Sequence, residues 1–291
     1  MTLTTAQAFS EFLSKISPTS VQHQDIVDKR QATERYLREA FPASSALPLK
    51  RVILIGSAAR GTIIRPVNDV DVLAEFTDKD RIFDRQYRRD SGAFLQRIRT
   101  ALNARTSIKK IGTRGQAVRL FYVNGAHVDI APVFKWHSTS GFGLPRGDGG
   151  WMTTDPEAQA AWFTQRRAAI SSNLAPMCRL ARRWNGVHSH RFDSFHLEVM
   201  LASMFKTIGS NYRTALQCFF EWAPNRIGVS DPAGHSGRLD EYLTRDAVAA
   251  IQSRFAEAHE RAGRAITAEG QGNHVEAKRL WRIELGDEFP A

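Results

Sequence analysis

Apolar residues recur at two different periods along this chain, and the places where the period changes mark out its elements. Phe9, Phe12, Leu13 and Ile16 fall three and four apart behind Thr4-x-x-Gln7. That predicts an amphipathic helix opened by a capping box and broken at Pro18. A longer helix is expected from about Ser20 to Phe41, with Ile26, Val27, Tyr36, Leu37 and Phe41 among its apolar positions and Pro42 ending it. The period then shortens to two. Val52 to Ile55 reads as a strand ending in Gly56-Ser57, and after a short polar turn Asp69-Val70-Asp71-Val72 alternates as a second strand. A helix is expected from Asp80 to Leu102, with Phe83, Tyr87, Phe94, Leu95 and Ile98 inside. Ser107 to Ile111 reads as a strand followed by a loop at Gly112-Thr113-Arg114-Gly115. Val118 to Val123 and His127 to Pro132 read as two strands joined by a hairpin turn at Asn124-Gly125.

This order of strand, helix and three strands fits a small mixed sheet, not a regularly alternating doubly wound one. Ser138 to Gly150, rich in Gly, Ser and Thr, reads as a mobile loop near a domain boundary. From Asp155-Pro156 onward the pattern is helical. Helices are expected at Pro156 to Ser171, Ala175 to Trp184, Ser194 to Ile208, Tyr212 to Trp222, Arg245 to Ala268 and Asn273 to Leu285. Two domains follow, 1–150 and 151–291, and 291 residues suffice for both cores.

Composition narrows the partners. A net charge of +10 favours anions. Triphosphates satisfy it, and no compact Lys-rich tail, zinc-ligand cluster or RNA-binding aromatic signature makes nucleic acid a requirement. No apolar run approaches the ~20 residues that span a bilayer, and Met1 to Ser10 lacks a charged start and apolar signal core. A cytoplasmic protein without a membrane partner is expected. Cys178 and Cys218 fall in expected helices and read as small buried apolar residues.

The chemistry lies in the period-two region. Asp69 and Asp71, two apart on a strand, project from one face while Val70 and Val72 turn to a core. Two carboxylates side by side call for a cation, and Mg²⁺ takes oxygen ligands that it shares with phosphates. Gly56 lets a backbone approach a ligand closely, and Ser57 adds a hydroxyl suited to phosphate oxygens. Asp129, between Val128 and Ile130, shares a face with His127 and supplies a third carboxylate if the hairpin lies beside the first two strands. Three such groups can hold two Mg²⁺ about 3.5–4 Å apart for in-line attack on a phosphate. His127 either orients Asp129 or is a satisfied core histidine.

Gly56-Ser57, Asp69-x-Asp71 and Asp129 together resemble the polymerase-β-type nucleotidyltransferase signature. The longer stretch Gly-Ser-x-x-Arg-Gly-Thr-x-Ile-x-Pro-x-x-Asp-Val-Asp-Val, from Gly56 to Val72, is similar to the bacterial cGAS/DncV-like nucleotidyltransferases (CD-NTases) of the anti-phage CBASS type. These are relatives of cyclic GMP-AMP synthase and oligoadenylate synthetase. Further matches are Arg182-Arg183-Trp184-Asn185, Ser194-Phe195-His196-Leu197-Glu198, Asp231-Pro232 and Gly286-Asp287-Glu288-Phe289-Pro290, so the resemblance runs from about Arg51 to Pro290.

The resemblance implies an α+β fold. A polymerase-β-like nucleotidyltransferase lobe with a mixed sheet joins an all-helical, oligoadenylate synthetase-like C-terminal lobe, with nucleotides in the cleft between them and N-terminal helices bracing both. It implies attack of a ribose hydroxyl on an α-phosphate with release of pyrophosphate, ending in a cyclic oligonucleotide, foremost a dinucleotide, that serves as a second messenger. The metal ligands and catalytic residues would be Asp69, Asp71 and Asp129, with two Mg²⁺ (or Mn²⁺) and Asp129 nearest the acceptor hydroxyl. Gly56 and Ser57 would cradle the β- and γ-phosphates, and Arg182, where the family usually has lysine, would reach the donor triphosphate. Ser194, expected to cap its helix, would lie near the same phosphates, and Asn173 would fall in the region that reads bases. ATP is the expected substrate, with UTP and GTP open. An effector protein activated by the product and a C-terminal conjugation partner are further expectations. A linear RNA-tailing enzyme, a small antibiotic- or protein-modifying nucleotidyltransferase and an inactive nucleotide-binding regulator remain alternatives.

Overall fold

In the computed structural model, which describes residues 3–103, 108–123, 125–136, 140–189 and 191–291, the period-two stretches become strands and the longer-period stretches become helices. They gather into two units. One comprises Thr19–Ala59 and Pro66–Ala160, the other Met1–Pro18, Arg60–Arg65 and Ala161–Ala291. The sequence puts one boundary near residue 150. The units instead interleave, because the first helix and the 60–65 segment find their packing partners among the late helices.

The first unit is built on a mixed sheet of β1 (Leu49–Leu54), β2 (Asp69–Phe76), β3 (Ile108–Arg114), β4 (Ala117–Tyr122), β5 (His127–Lys135), β6 (Phe142–Pro145) and β7 (Trp151–Thr154). The order is β1-β2-β5-β4-β3, with β6 on the end of β5 and β7 beyond it. β2 and β5 run parallel, and the remaining neighbours are antiparallel. The apolar positions of β2 and β5, Val70, Val72, Val128 and Ile130, are fully buried. Along the same face Phe76 and Phe134 meet Phe94 of α4 (Ser91–Leu102) at ring separations of 5.4 and 4.7 Å. The apolar face of the sheet thus goes to α4, and the alternate positions are left to Asp69, Asp71 and Asp129 on the other face. Helix α2 (Ser20–Ala40), capped by Thr19, packs on β1 and β2, with Arg30 Nη1 donating to the Val52 carbonyl at 3.0 Å.

Three expectations in this unit change. The helix expected over Asp80 to Leu102 is interrupted: Lys79–Arg81 forms a 3₁₀ turn with Asp80 and Arg81 at φ 54° and 57°, Phe83–Tyr87 forms a π turn, and α4 begins only at Ser91. Asp90 resets the helix by accepting from Ala93 N at 3.0 Å, while the Tyr87 carbonyl is taken by Trp151 Nε1 at 2.8 Å. The expected loop at Gly112-Thr113-Arg114-Gly115 is strand as far as Arg114, paired along β4. The stretch expected as a mobile loop contains β6, whose Phe142 and Leu144 pack with Leu73 and Val133. Gly143 is needed there, since a Cβ would lie 2.3 Å from the Trp136 ring. Asn124 of the expected hairpin turn, Ser107 of the expected strand, and Ser138 and Thr139 of the expected loop lie outside the described residues.

The second unit is helical: α1 (Thr5–Ile16), most of α5 (Pro156–Ile170), α6 (Leu174–Val187), α7 (Ser194–Met204), α8 (Tyr212–Trp222), α9 (Arg245–Gly270) and α10 (His274–Leu285). The expected helices agree within a few residues, except that α7 stops at Met204, four residues short. Trp184 stacks on Phe255 at 4.8 Å in a core that also holds Phe219, Phe220 and Trp281. The capping box of α1 forms as expected. Its stripe enters this core, Phe9 packing edge-on to Trp281 at 5.0 Å, and Phe9 and Phe12 each 5.1 Å from Phe289. Of the two early helices, then, α1 packs among the helices and α2 on the sheet. Among the described residues no helix is long and apolar enough to cross a membrane.

Candidate active site

The strand β1 ends at Leu54, and the chain turns at once into the short helix α3 (Gly56–Arg60). Gly56 makes the turn possible in two ways. Its φ is +64°, and a Cβ on it would lie 2.5 Å from Asp71 Oδ2. Ile55 N also donates to the Asp71 carbonyl at 3.0 Å. Gly56 therefore lies against the second aspartate, with Ser57 next to it in the first turn of α3. The sequence reading of a close backbone approach is met here by a carboxylate of the chain itself.

The strand register brings the three aspartates onto one face. In the parallel pair Asp69 lies opposite His127 and Asp71 opposite Asp129. Across the other edge of β5, Arg119 lies opposite Asp129. Asp69 is exposed, whereas Asp71 and Asp129 are half-buried. Arg119 grips Asp129 with a two-pronged pair, Nε to Oδ1 at 2.6 Å and Nη2 to Oδ2 at 2.5 Å. Hydrogen bonding to Asp129 holds the guanidinium proton more tightly than usual, against the opposing effect of burial, and the charges of Asp129, Asp69 and Asp71 add to it. His127 sits beside Phe121 on this face, ring centroids 5.6 Å apart.

An all-oxygen set of three carboxylates on adjoining strands has the chemistry of a Mg²⁺ site. The arrangement goes only part of the way: among the described residues no three His, Cys, Asp or Glu side chains come together as a metal centre. Asp129 gives both its oxygens to Arg119, so the third carboxylate faces a cation of the chain. Sequence reasoning missed Arg119. The signal was not in the turn: a two-residue hairpin at Asn124-Gly125 would set residue 119 opposite residue 130, one step from the register that the strands adopt.

The remaining candidate residues lie in the helical unit. Arg182 Nη1 donates to Glu198 Oε1 at 3.0 Å. Glu198, fully buried, also accepts from Thr62 Oγ1 and Arg60 Nε, both at 2.6 Å. Arg60 and Thr62 belong to the Arg-Gly-Thr part of the motif, whose Gly61 carbonyl accepts from Arg179 Nη2 at 2.8 Å. Sequence reasoning assigned Glu198 no role, yet it is the acceptor around which Arg60, Thr62 and Arg182 are arranged. Ser194 is the exposed first residue of α7; the cap position belongs to Asp193, so Ser194 is not the N-cap it was expected to be. Asn173 precedes α6, but its amide is engaged: Nδ2 donates to the Ile208 carbonyl at 3.3 Å and Oδ1 accepts from Tyr212 OH at 3.1 Å. These bonds take one of its two N–H donors and one of its two acceptor positions.

Known proteins resemble this chain at both levels. The profile of the Second Messenger Oligonucleotide or Dinucleotide Synthetase domain matches residues 1–167. A protein of Bacillus cereus (strain VD146) named "Probable cyclic nucleotide synthase" is 28% identical over 279 residues, covering 83% of each chain. The cyclic AMP-AMP-AMP synthase of Escherichia coli (strain MS 115-1) is 29% identical over 249 residues, covering 79% of this chain and 76% of that one. The solved structure of E. coli MS115-1 CdnC with ATP superposes with a TM-score of 0.79 at 21% identity, covering 99% of this chain and 98% of that chain.

Proposed function

For a chain that belongs to the Second Messenger Oligonucleotide or Dinucleotide Synthetase family, the cyclic oligonucleotide synthases of CD-NTase type, we propose the following reaction. A ribose hydroxyl of one nucleotide attacks the α-phosphate of a nucleoside triphosphate, pyrophosphate leaves, and repetition closes a ring. The observation that carries this reading is the pairing of Asp71 with Asp129 on parallel strands, with Asp69 on the same face and Gly56 against Asp71. Mg²⁺ held by Asp69, Asp71 and Asp129 would acidify the attacking hydroxyl and offset charge developing on the phosphate. Asp69 and Asp71 serve the triphosphate, and Asp129 serves the attacking hydroxyl. Gly56 and Ser57 receive the β- and γ-phosphates. Arg182, held by Glu198, and the exposed Ser194 are further candidates for phosphate contact.

Ring closure is favoured because the second attack is intramolecular. A relative named for a cyclic AMP-AMP-AMP product supports adenylate as a building block and a ring of three, beside the ring of two that the sequence suggests first. The product acts as a diffusible signal on an effector protein. The test is to incubate the full chain with labelled nucleoside triphosphates and Mg²⁺, treat with phosphatase and weigh the product. A phosphatase-resistant species with the mass of a fully condensed ring of two or three nucleotides is expected. A ladder of linear products shortened by phosphatase overturns the ring and leaves the tailing alternative.

A further inference from the structure

The strongest unassigned feature near the aspartates is the cation already among them. Arg119 and Asp129 form a bidentate pair at 2.5–2.6 Å, their side chains only 14% and 13% exposed. Strand register sets residue 119 directly opposite residue 129. A fork-to-fork pair engages both carboxylate oxygens at once, so Asp129 cannot also turn both toward a second cation. All three aspartates act on the guanidinium, and its carbon lies 5.9 Å from the Phe121 ring centroid on the same face.

We propose that Arg119 is the resident cation of the aspartate face, and that Asp129 exchanges Arg119 for the divalent metal. This rests on the reading that Asp69, Asp71 and Asp129 hold Mg²⁺. Two consequences follow from charge alone. A dication brought in beside a guanidinium meets a like charge, which weakens its binding. Breaking the Arg119–Asp129 pair to free the third carboxylate weakens it further. Arg119 is on this view a positioning residue that acts through Asp129. It offsets part of the negative charge of the face and sets a threshold for metal. A triphosphate brings negative charge of its own, which offsets that of Arg119, so the threshold is greatest without nucleotide.

The experiment measures Mn²⁺ affinity of the full chain without nucleotide, by the loss of the free-ion electron paramagnetic resonance signal. Arg119→Gln should bind Mn²⁺ about 10-fold more tightly than the native chain, as removal of one nearby positive charge implies. Its thermal midpoint should be lower without metal and rise further on adding metal, a response that a purely structural arginine would not change. Arg119→Lys keeps the charge but loses the fork. It should lie between the two, and it decides the matter should Arg119→Gln not fold. Unchanged or weaker affinity in the variant that folds overturns the proposal, because Arg119 would then only prop Asp129 in place. Asp69→Asn with Asp71→Asn tests the underlying reading separately. If that double variant retains native Mn²⁺ affinity, the metal assignment fails whatever Arg119 does.

Discussion

Gly56 carries a demand that no other residue type meets at low cost. Its positive φ costs a side-chain-bearing residue about 1–2 kcal/mol, and the added Cβ would be driven into Asp71 Oδ2. Gly56→Ala is therefore expected to lower stability by about 1–2 kcal/mol in urea unfolding. Turnover should fall more than ~10-fold, because the carboxylate itself is displaced. Asp71→Asn and Asp69→Asn should separate these effects the other way. Nucleotidyl transfer should drop by at least ~100-fold, with the thermal midpoint unchanged or raised as clustered negative charge is removed. Near-native Mg²⁺-dependent turnover in either variant would rule out its assignment. The aspartates were legible because alternation on a strand fixes which side chains share a face. What alternation could not reveal is the partner each carboxylate takes. Asp71 meets a glycine and Asp129 an arginine, and both depend on cross-strand register.

At the scale of elements, two buried carboxylates organise the helical unit. Glu198 on α7 gathers Arg60, Thr62 and Arg182. Truncating it leaves two guanidinium groups without their buried partner, so Glu198→Ala should cost about 3–5 kcal/mol in chemical unfolding. A loss below ~1 kcal/mol would show that the network is replaceable. Glu284 on α10 accepts from Trp184 Nε1 at 2.9 Å, pairs with Arg261, and has His188 Nε2 at 3.1 Å. Burial pushes this carboxyl up, but the neighbouring His188 and Arg261 outweigh it and hold the group below its ordinary range. A carboxyl depressed on folding stabilises the protein fully above the ordinary Glu value of about 4.3, and loses that effect as pH falls through the lower folded value. Glu284→Gln should accordingly lower the urea midpoint at pH 7, and the gap to the native chain should narrow below pH ~4. The helices were readable because their apolar period spans many residues. The short β6 was not, since four residues with a glycine among them give no period to count, and its place depends on Trp136 lying over Gly143. The break before α4 escaped for a related reason: an apolar stripe continued across it, and only the Asp90 cap marks the restart.

For the whole molecule, the packing of α1 with α10 and Phe289 has a temporal side. Thr5 N reaches His274 Nδ1 across 269 residues of sequence, and Phe9 and Phe12 are covered by Trp281 and Phe289. Protein synthesis adds ~5–20 residues per second, so the apolar stripe of α1 waits roughly 15–60 s before Trp281 and Phe289 exist. For about the second half of that interval the sheet strands from Leu49 to Thr154 have already been made. The nascent chain thus carries an exposed greasy helix while a neighbouring unit can already fold, the circumstance in which a holdase chaperone is recruited. Ribosomes stalled near residue 200 should present α1 to limited proteolysis, and the chain released from the ribosome should protect it. Charged substitutions at Phe9 and Phe12 would relieve the early exposure while abolishing the late burial, so the sequence of α1 is a compromise between being made and being finished.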